Sequence, residues 1–213
     1  MSKAFEGKFE THITVNLRAT SEWGRFHSWC IARGLKCVDI ALEQGLTPAQ
    51  PMLTRYSTGT LQSELQEADE LRRVCEAAGF AVVRVKLEVS PWNEDVPRDE
   101  VEASVTVERY FEHHIKLLLL AETEHGALKR VVLPHGAHLS RNARRIRDDG
   151  QQERFVTQRC YGVGSDEAQA CFEELLQTLK TSYYTVIETE QEYVVFDSNS
   201  ALDYGWLTPR RKT

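Results

Sequence analysis

Phe9-Glu10-Thr11-His12-Ile13-Thr14-Val15 returns, nearly half a chain length later, as Phe111-Glu112-His113-His114-Ile115-Lys116-Leu117. The two heptapeptides keep Phe, Glu, His and Ile in the same order, which marks an internal duplication. Polar and apolar residues alternate in both. On a strand, Glu10, His12 and Thr14 share one face, opposite Phe9, Ile13 and Val15. Glu112, His114 and Lys116 share the equivalent face, opposite Phe111, Ile115 and Leu117.

The same order of elements surrounds each copy. In the first half a helix from Ser21 to Arg33 follows, with Trp23, Phe26, Trp29 and Cys30 on its apolar side, and Gly34 ends it. A strand over Leu35–Leu42 and another near Met52–Thr58 come next. Thr60 then caps a helix to Ala78, where Leu61, Leu65, Ala68, Leu71 and Cys75 recur at helical spacing. Gly79 stops it, and Phe80–Val89 reads as a strand. The second half runs from a strand over Tyr110–Ala121 to a short helix near Ala127–Leu133 and strands at Ala137–Ile146 and Glu153–Tyr161. A helix capped by Ser165 and a last strand over Val186–Phe196 complete it. Gly59-Thr60 before the long helix of one half is matched by Gly164-Ser165 in the other.

Each half is therefore β-α-β-β-α-β. The expected fold is α+β, a tandem duplication of a ferredoxin-like unit forming a pseudo-dimer with antiparallel sheets. The expected units are residues 1–90 and 109–207, joined by an acidic, Pro-containing linker over 91–108 and followed by a basic tail at 208–213. Val101–Val107 offers an additional short strand. Both helices of such a unit cover one sheet face, so the face carrying Glu10, His12, Glu112 and His114 needs solvent or a partner. The repeats could cover each other's open faces or wrap them into a barrel-like groove, with both motifs near a pseudo-two-fold axis.

The chain has 213 residues, 41% hydrophobic and 27% charged, with a formal net charge of −6. An acidic balance argues against non-specific binding of duplex DNA. No apolar run approaches the length of a membrane span, and the start of the chain lacks the apolar core of a secretory signal. Five cysteines without CxxC spacing read as reduced thiols, which points to the cytoplasm.

His12 and His114 are the leading functional candidates, as an acid/base pair or as metal ligands, with Thr14 and Lys116 beside them. Arg55, His138, Arg144 and Arg159 are candidates for holding an anion, and Glu10 and Glu112 for holding a divalent metal. The final strands add Arg84/Lys86/Glu88 and Glu188/Glu190/Glu192 to the open faces. The plain structural alternative is a solvated charged face with two hydrogen-bonded histidines. Gly162-Val163-Gly164 before a helix suggests an anion site, which Asp166 and Glu167 in the first turn oppose.

His12-Ile13-Thr14 resembles the repeated His-x-Thr/Ser motif of the 2H phosphoesterases, bilobal proteins in which one histidine acts as base and the other as acid. His114-Ile115-Lys116 departs from it at Lys116. Glu112-His113-His114-Ile115-Lys116 is similar to the Glu-x-Glu-x-Lys opening strand of the triphosphate tunnel (CYTH) proteins, whose tunnel alternates Arg, Lys and Glu. Paired His and Glu on strands also resemble the vicinal oxygen chelate proteins, although those carry one helix per module. The first two resemblances imply a cytoplasmic enzyme, a phosphoesterase or phosphohydrolase. It would act on a phosphorylated or nucleotide-like small molecule between two repeats. The alternative is a non-catalytic ligand- or protein-binding protein, monomer or homodimer. The His/Arg-rich stretch from His135 to Arg145 follows only the second motif, so a single site is expected to lean toward the second half.

Overall fold

The computed structural model describes residues 4–19, 21–145 and 147–207. Its elements run β1 (Glu6–Asn16), α1 (Glu22–Ile31), β2 (Lys36–Leu42), β3 (Ala49–Thr60), α2 (Leu61–Ala77), β4 (Ala81–Val89) and α3 (Glu100–Ala103). The second half continues with β5 (Tyr110–Leu119), α4 (His125–Val132), β6 (Ala137–Asn142), β7 (Gln152–Tyr161), α5 (Ser165–Thr181) and β8 (Thr185–Asp197). Within each half the strand order is that of a ferredoxin-like unit, β4-β1-β3-β2 and β8-β5-β7-β6, and every pairing is antiparallel. The fold is thus α+β with a duplicated unit.

The two sheets do not stack. Their edges pair instead, β2 with β6 and β4 with β8, and close an eight-stranded barrel. Closure satisfies the four strand edges that separate sheets would leave raw. The duplication extends to an irregularity: β1 shifts register against β4 between Thr14 and Val15, and β5 shifts against β8 at the equivalent step, Lys116 to Leu117. A bulge kept in both copies adds local twist, which helps each sheet curl.

All larger helices lie outside. Phe9, Ile13 and Leu53 pack with Phe26, Cys30 and Phe80 in one core. Ile115, Leu117 and Val156 pack with Leu128, Phe172 and Leu175 in another. The hydrophobic mass therefore sits between helices and barrel wall, and the polar strand faces turn into the lumen. Local chemistry sets the helix ends. Thr60 and Ser63 form a capping box at α2. At its other end Gly79, at φ +83°, donates to Glu76 O while Phe80 N–H reaches Cys75 O, a Schellman closure that favours glycine.

Two expectations change here, and one feature is new. Residues 101–107 form no strand. Asp99 caps the short α3 by accepting from Glu102 N–H, and Val101, Val105 and Val107 are exposed. Ser165 is the first residue of α5 and Gly164 is its N-cap. That helix end is covered by the chain's own linker: Ser165 N–H donates to Pro97 O at 2.9 Å, and a Cβ on Gly164 would meet Arg98 O at 2.1 Å. Pro97 thus occupies the helix end, where Asp166 and Glu167 already opposed an anion. After β8 a 3₁₀ turn at Ser200–Asp203, which the sequence did not announce, brings Trp206 and Leu207 onto Leu42. Ile146 and the basic tail at 208–213 lie outside the described residues.

Candidate functional site

The lumen holds a cavity of about 180 Å³ lined from both halves. Register places the duplicated motifs face to face in it. His12 pairs with Thr54 on β3 and Lys86 on β4, while His114 pairs with Thr157 on β7 and Glu190 on β8. The two histidines are held alike: His12 Nδ1 lies 2.9 Å from Thr54 Oγ1, and His114 Nδ1 lies 3.0 Å from Thr157 Oγ1. A hydroxyl at Nδ1 turns Nε2 toward the carboxylates of the lumen.

Carboxylates and bases interlock behind them. His12 Nε2 is 2.8 Å from Glu88, and Glu88 is 2.5 Å from Lys86 Nζ. Lys86 is 2.6 Å from Glu112, whose Oε1 is 3.2 Å from His114 Nε2. Arg84 pairs with Asp197 at 2.6 Å and with Asp203 at 2.8 Å. Arg159 is bound to Glu112 and lies 2.7 Å from Asp203, which also accepts from Gln50. Tyr110 donates to Asp197 at 2.7 Å. Each buried guanidinium therefore touches two carboxylates, Asp203 being common to both, the condition under which burying such charge is tolerable.

The electrostatic balance differs between groups. Burial opposes ionisation of Glu112, but Arg159 and Lys86 hold its carboxyl well below the usual range. Burial likewise opposes Glu88, and Lys86 and His12 bring it down to about 2. Glu192 has burial and the nearby Glu88 charge against it and is pushed up to about 7. Burial also raises Glu10. His114 is raised to about 10: burial favours the neutral ring, but hydrogen bonding to Glu112 and Glu192 outweighs it. His113, on the opposite face, bonds Gln158, packs edge-on to Phe172 and is lowered to about 4 by burial, a neutral core histidine.

The structure brings together His12, His114, Glu10, Glu112 and Arg159 and separates the remaining candidates. Arg55 points to the outer wall and pairs with Glu64 and Glu67, because it stands opposite Thr11 on the helix-facing side. Arg144 is also outside, paired with Asp39 at 2.7 Å and lying over the Trp23 ring. His138 sits beside Gln44 at the β2/β6 end and does not line the cavity. Thr14 is buried between Met52 and Arg84. Lys116 reaches Glu153 and Glu188 at the far end of β5. Arg159 is in the lumen, fully engaged by carboxylates. Asp203, Asp197 and Gln50 belong to the network and were not singled out from the sequence; their partners lie more than a hundred residues away in several cases.

The two copies of the motif glutamate differ in their partners. Glu112 is neutralised by Arg159 and Lys86. Glu10, its counterpart, has His12 at 3.4 Å as its ion-pair partner among the described residues. Register explains the difference: Arg159 stands opposite Glu112, where Tyr56 stands opposite Glu10. Glu10, Glu190 and Glu192 also border a second groove with Lys8, Tyr56 and Ser90, so they form an acidic mouth shared by cavity and surface. No helix is long and apolar enough to cross a membrane among the described residues.

No protein-family model matches the chain, and no curated protein matches it. Among solved structures, the acetolactate synthase small subunit of Thermotoga maritima is 14% identical, covering 88% of this chain and 94% of its own, at a TM-score of 0.27. The ligand-free regulatory subunit of aspartate kinase from Thermus thermophilus is 11% identical, with coverages of 81% and 93% and a TM-score of 0.30. The siroheme decarboxylase NirDL is 10% identical, with coverages of 95% and 75% and a TM-score of 0.28. Likeness of this depth carries no argument about activity or ligand.

Proposed function

We propose that this chain is a binding protein that takes a small cationic ligand, an amine or a metal ion, through the acidic mouth of its barrel. The observation that carries the reading is the distribution of charge. Arg84, Lys86 and Arg159 are each held by carboxylates, so an incoming phosphate must displace a buried ion pair to reach them, and the remaining lysine of the cavity, Lys36, lies against Tyr56 at its edge. Glu10, Glu190 and Glu192 face the opening, where their field favours positive ligands. The cavity, about 180 Å³, is below the roughly 300–1,000 Å³ of drug-sized sites and suits a ligand of a few heavy atoms.

A second reading, acid/base catalysis on a phosphoester, draws on Glu192 alone. A carboxyl at about 7 beside two histidines is poised for proton transfer. The test is thermal unfolding in EDTA with a short alkyl diamine or with pyrophosphate. At about a hundredfold excess over Kd, a ligand adds roughly 2.7 kcal/mol, or several degrees in Tm for a chain of this size. The diamine is expected to give that shift, and Glu192→Gln to reduce it. A shift by pyrophosphate without one by the diamine would refute the reading. Phosphoester turnover lost in both His12→Ala and His114→Ala would return the site to catalysis.

A further inference from the structure

We propose that Glu10, His12 and Glu192 bind one divalent transition-metal ion at the mouth of the barrel, through His12 Nε2 and one oxygen of each carboxylate. This deepens the reading of the lumen as a cation site and rests on it.

Donor atoms of Glu10, His12 and Glu192 lie within 4.8 Å of one another, as do those of Glu112, His114 and Glu192. The two triads share Glu192 and differ in what else touches them. In the second, Lys86 Nζ sits 2.6 Å from the Glu112 oxygen that a metal would use, and Arg159 holds the other oxygen. A dication there would meet two fixed positive charges. In the first, neither Lys nor Arg is ion-paired with Glu10 or Glu192 among the described residues, and Lys86 stands on the neighbouring Glu88 at 2.5 Å.

Without a metal, His12 Nε2 shares its proton with Glu88 at 2.8 Å, while its spacing to Glu10 is that of a coordination edge. His12 Nε2 and Glu10 Oε1 are 3.4 Å apart. A charge-assisted N–H···O bond is shorter, about 2.7–2.9 Å. With metal–ligand distances of about 2.0–2.2 Å, the edge between two donors of a tetrahedral site is roughly 3.4 Å. Thr54 at Nδ1 fixes the ring and aims Nε2 inward, the usual outer support of a metal-binding histidine.

A further carboxylate lies beside the triad. Glu88 is 1% exposed and ion-paired through both carboxyl oxygens, Oε1 with Lys86 Nζ at 2.5 Å and Oε2 with His12 Nε2 at 2.8 Å. A metal at His12 Nε2 would take the place of the proton shared with Glu88, leaving Glu88 Oε2 beside it as a further oxygen donor. One imidazole with carboxylates suits zinc, manganese, iron or cobalt and is a poor set for copper(I) or cadmium-like soft ions.

The test uses the full chain, stripped with EDTA and dialysed, titrated with Co²⁺ and followed by its d–d absorbance and by calorimetry. One equivalent is expected. Thr54→Val should weaken binding by about 10–100-fold, the usual cost of losing an outer-shell partner, and His12→Ala by at least as much. Thr157→Val should leave the affinity within about threefold on that scale. Circular dichroism of each variant checks that it is folded, and the Thr→Val pair keeps the comparison valid if an alanine variant fails to fold. The proposal is overturned if folded wild-type protein shows no saturable binding. It is also overturned if Thr157→Val weakens binding and Thr54→Val does not, or if neither changes it. Diamine binding in EDTA that survives such a result would leave the cationic-ligand reading standing. Loss of both would sink the two together.

Discussion

Replacing Asp203 by Asn removes one negative charge from a point where three side chains converge. Its carboxylate is 2.8 Å from Arg84, 2.7 Å from Arg159 and 2.8 Å from Gln50, and it is 2% exposed. Burial opposes its charge, and Arg159 and Arg84 outweigh burial, holding the carboxyl below its ordinary value. Breaking a buried ion pair from one side costs about 3–5 kcal/mol, because the partner charge stays buried. Here the lower end applies, about 3 kcal/mol. Arg84 keeps Asp197 in a two-bond contact, Arg159 keeps Glu112, and the amide still accepts one hydrogen bond. For a chain of this length that corresponds to a fall in Tm of roughly 6–12 °C. The assay is urea unfolding near neutral pH followed by circular dichroism, with Asp69→Asn as the reference. Asp69 is paired with Arg72 and Arg73 at 2.6 Å but on the exposed side of α2, where little change is expected. If Asp203→Asn were no more damaging than Asp69→Asn, the lumen network would be solvated like a surface, and the account of its closed charge balance would fail.

Two further outcomes follow from the geometry. In metal-free protein His114 is raised to about 10 from an ordinary 6.5, so its contribution to stability is complete below about pH 6.5 and is lost as the pH rises toward 10. The slope should approach about 1.4 kcal/mol per pH unit for that one proton, and His114→Gln should flatten it; an unchanged slope would mean that the ring is not charged in the fold. Gly164→Ala places a methyl 2.1 Å from Arg98 O, against backbone that cannot rotate away. A loss of about 1–3 kcal/mol and faster proteolysis near residues 91–108 are expected, and wild-type behaviour in both would show that the linker does not rest on α5.

The element order was legible because alternation and helical spacing are local signals, and both halves repeated them. The inward position of His12 and His114 was legible for the same reason: a strand face follows from parity alone. Arg55 was not, since one step along β3 moves a side chain from the lumen to the outer wall, and the alternation near Met52 to Ser57 does not mark which parity is apolar. The direct pairing of the two sheets was also hidden. It depends on β2 meeting β6 and β4 meeting β8, contacts between halves for which neither strand carries a local signature. Asp203 sits in a 3₁₀ turn whose composition says only that the chain bends. Its role appears once Arg84 and Arg159, far away in sequence, are seen to share it.

Closing the sheet on itself has a consequence for how the interior can change. A ring of eight paired strands has a bore fixed by strand number and stagger, so it cannot be widened by letting the wall sag. The gauge of the cavity is therefore written in individual side chains. Met52 and Phe155, equivalent in the two halves, both line it, one slender and pliant, the other broad and flat. Exchanges at such matched places retune the bore one half at a time, while the hydrogen-bonded hoop around them keeps its circumference.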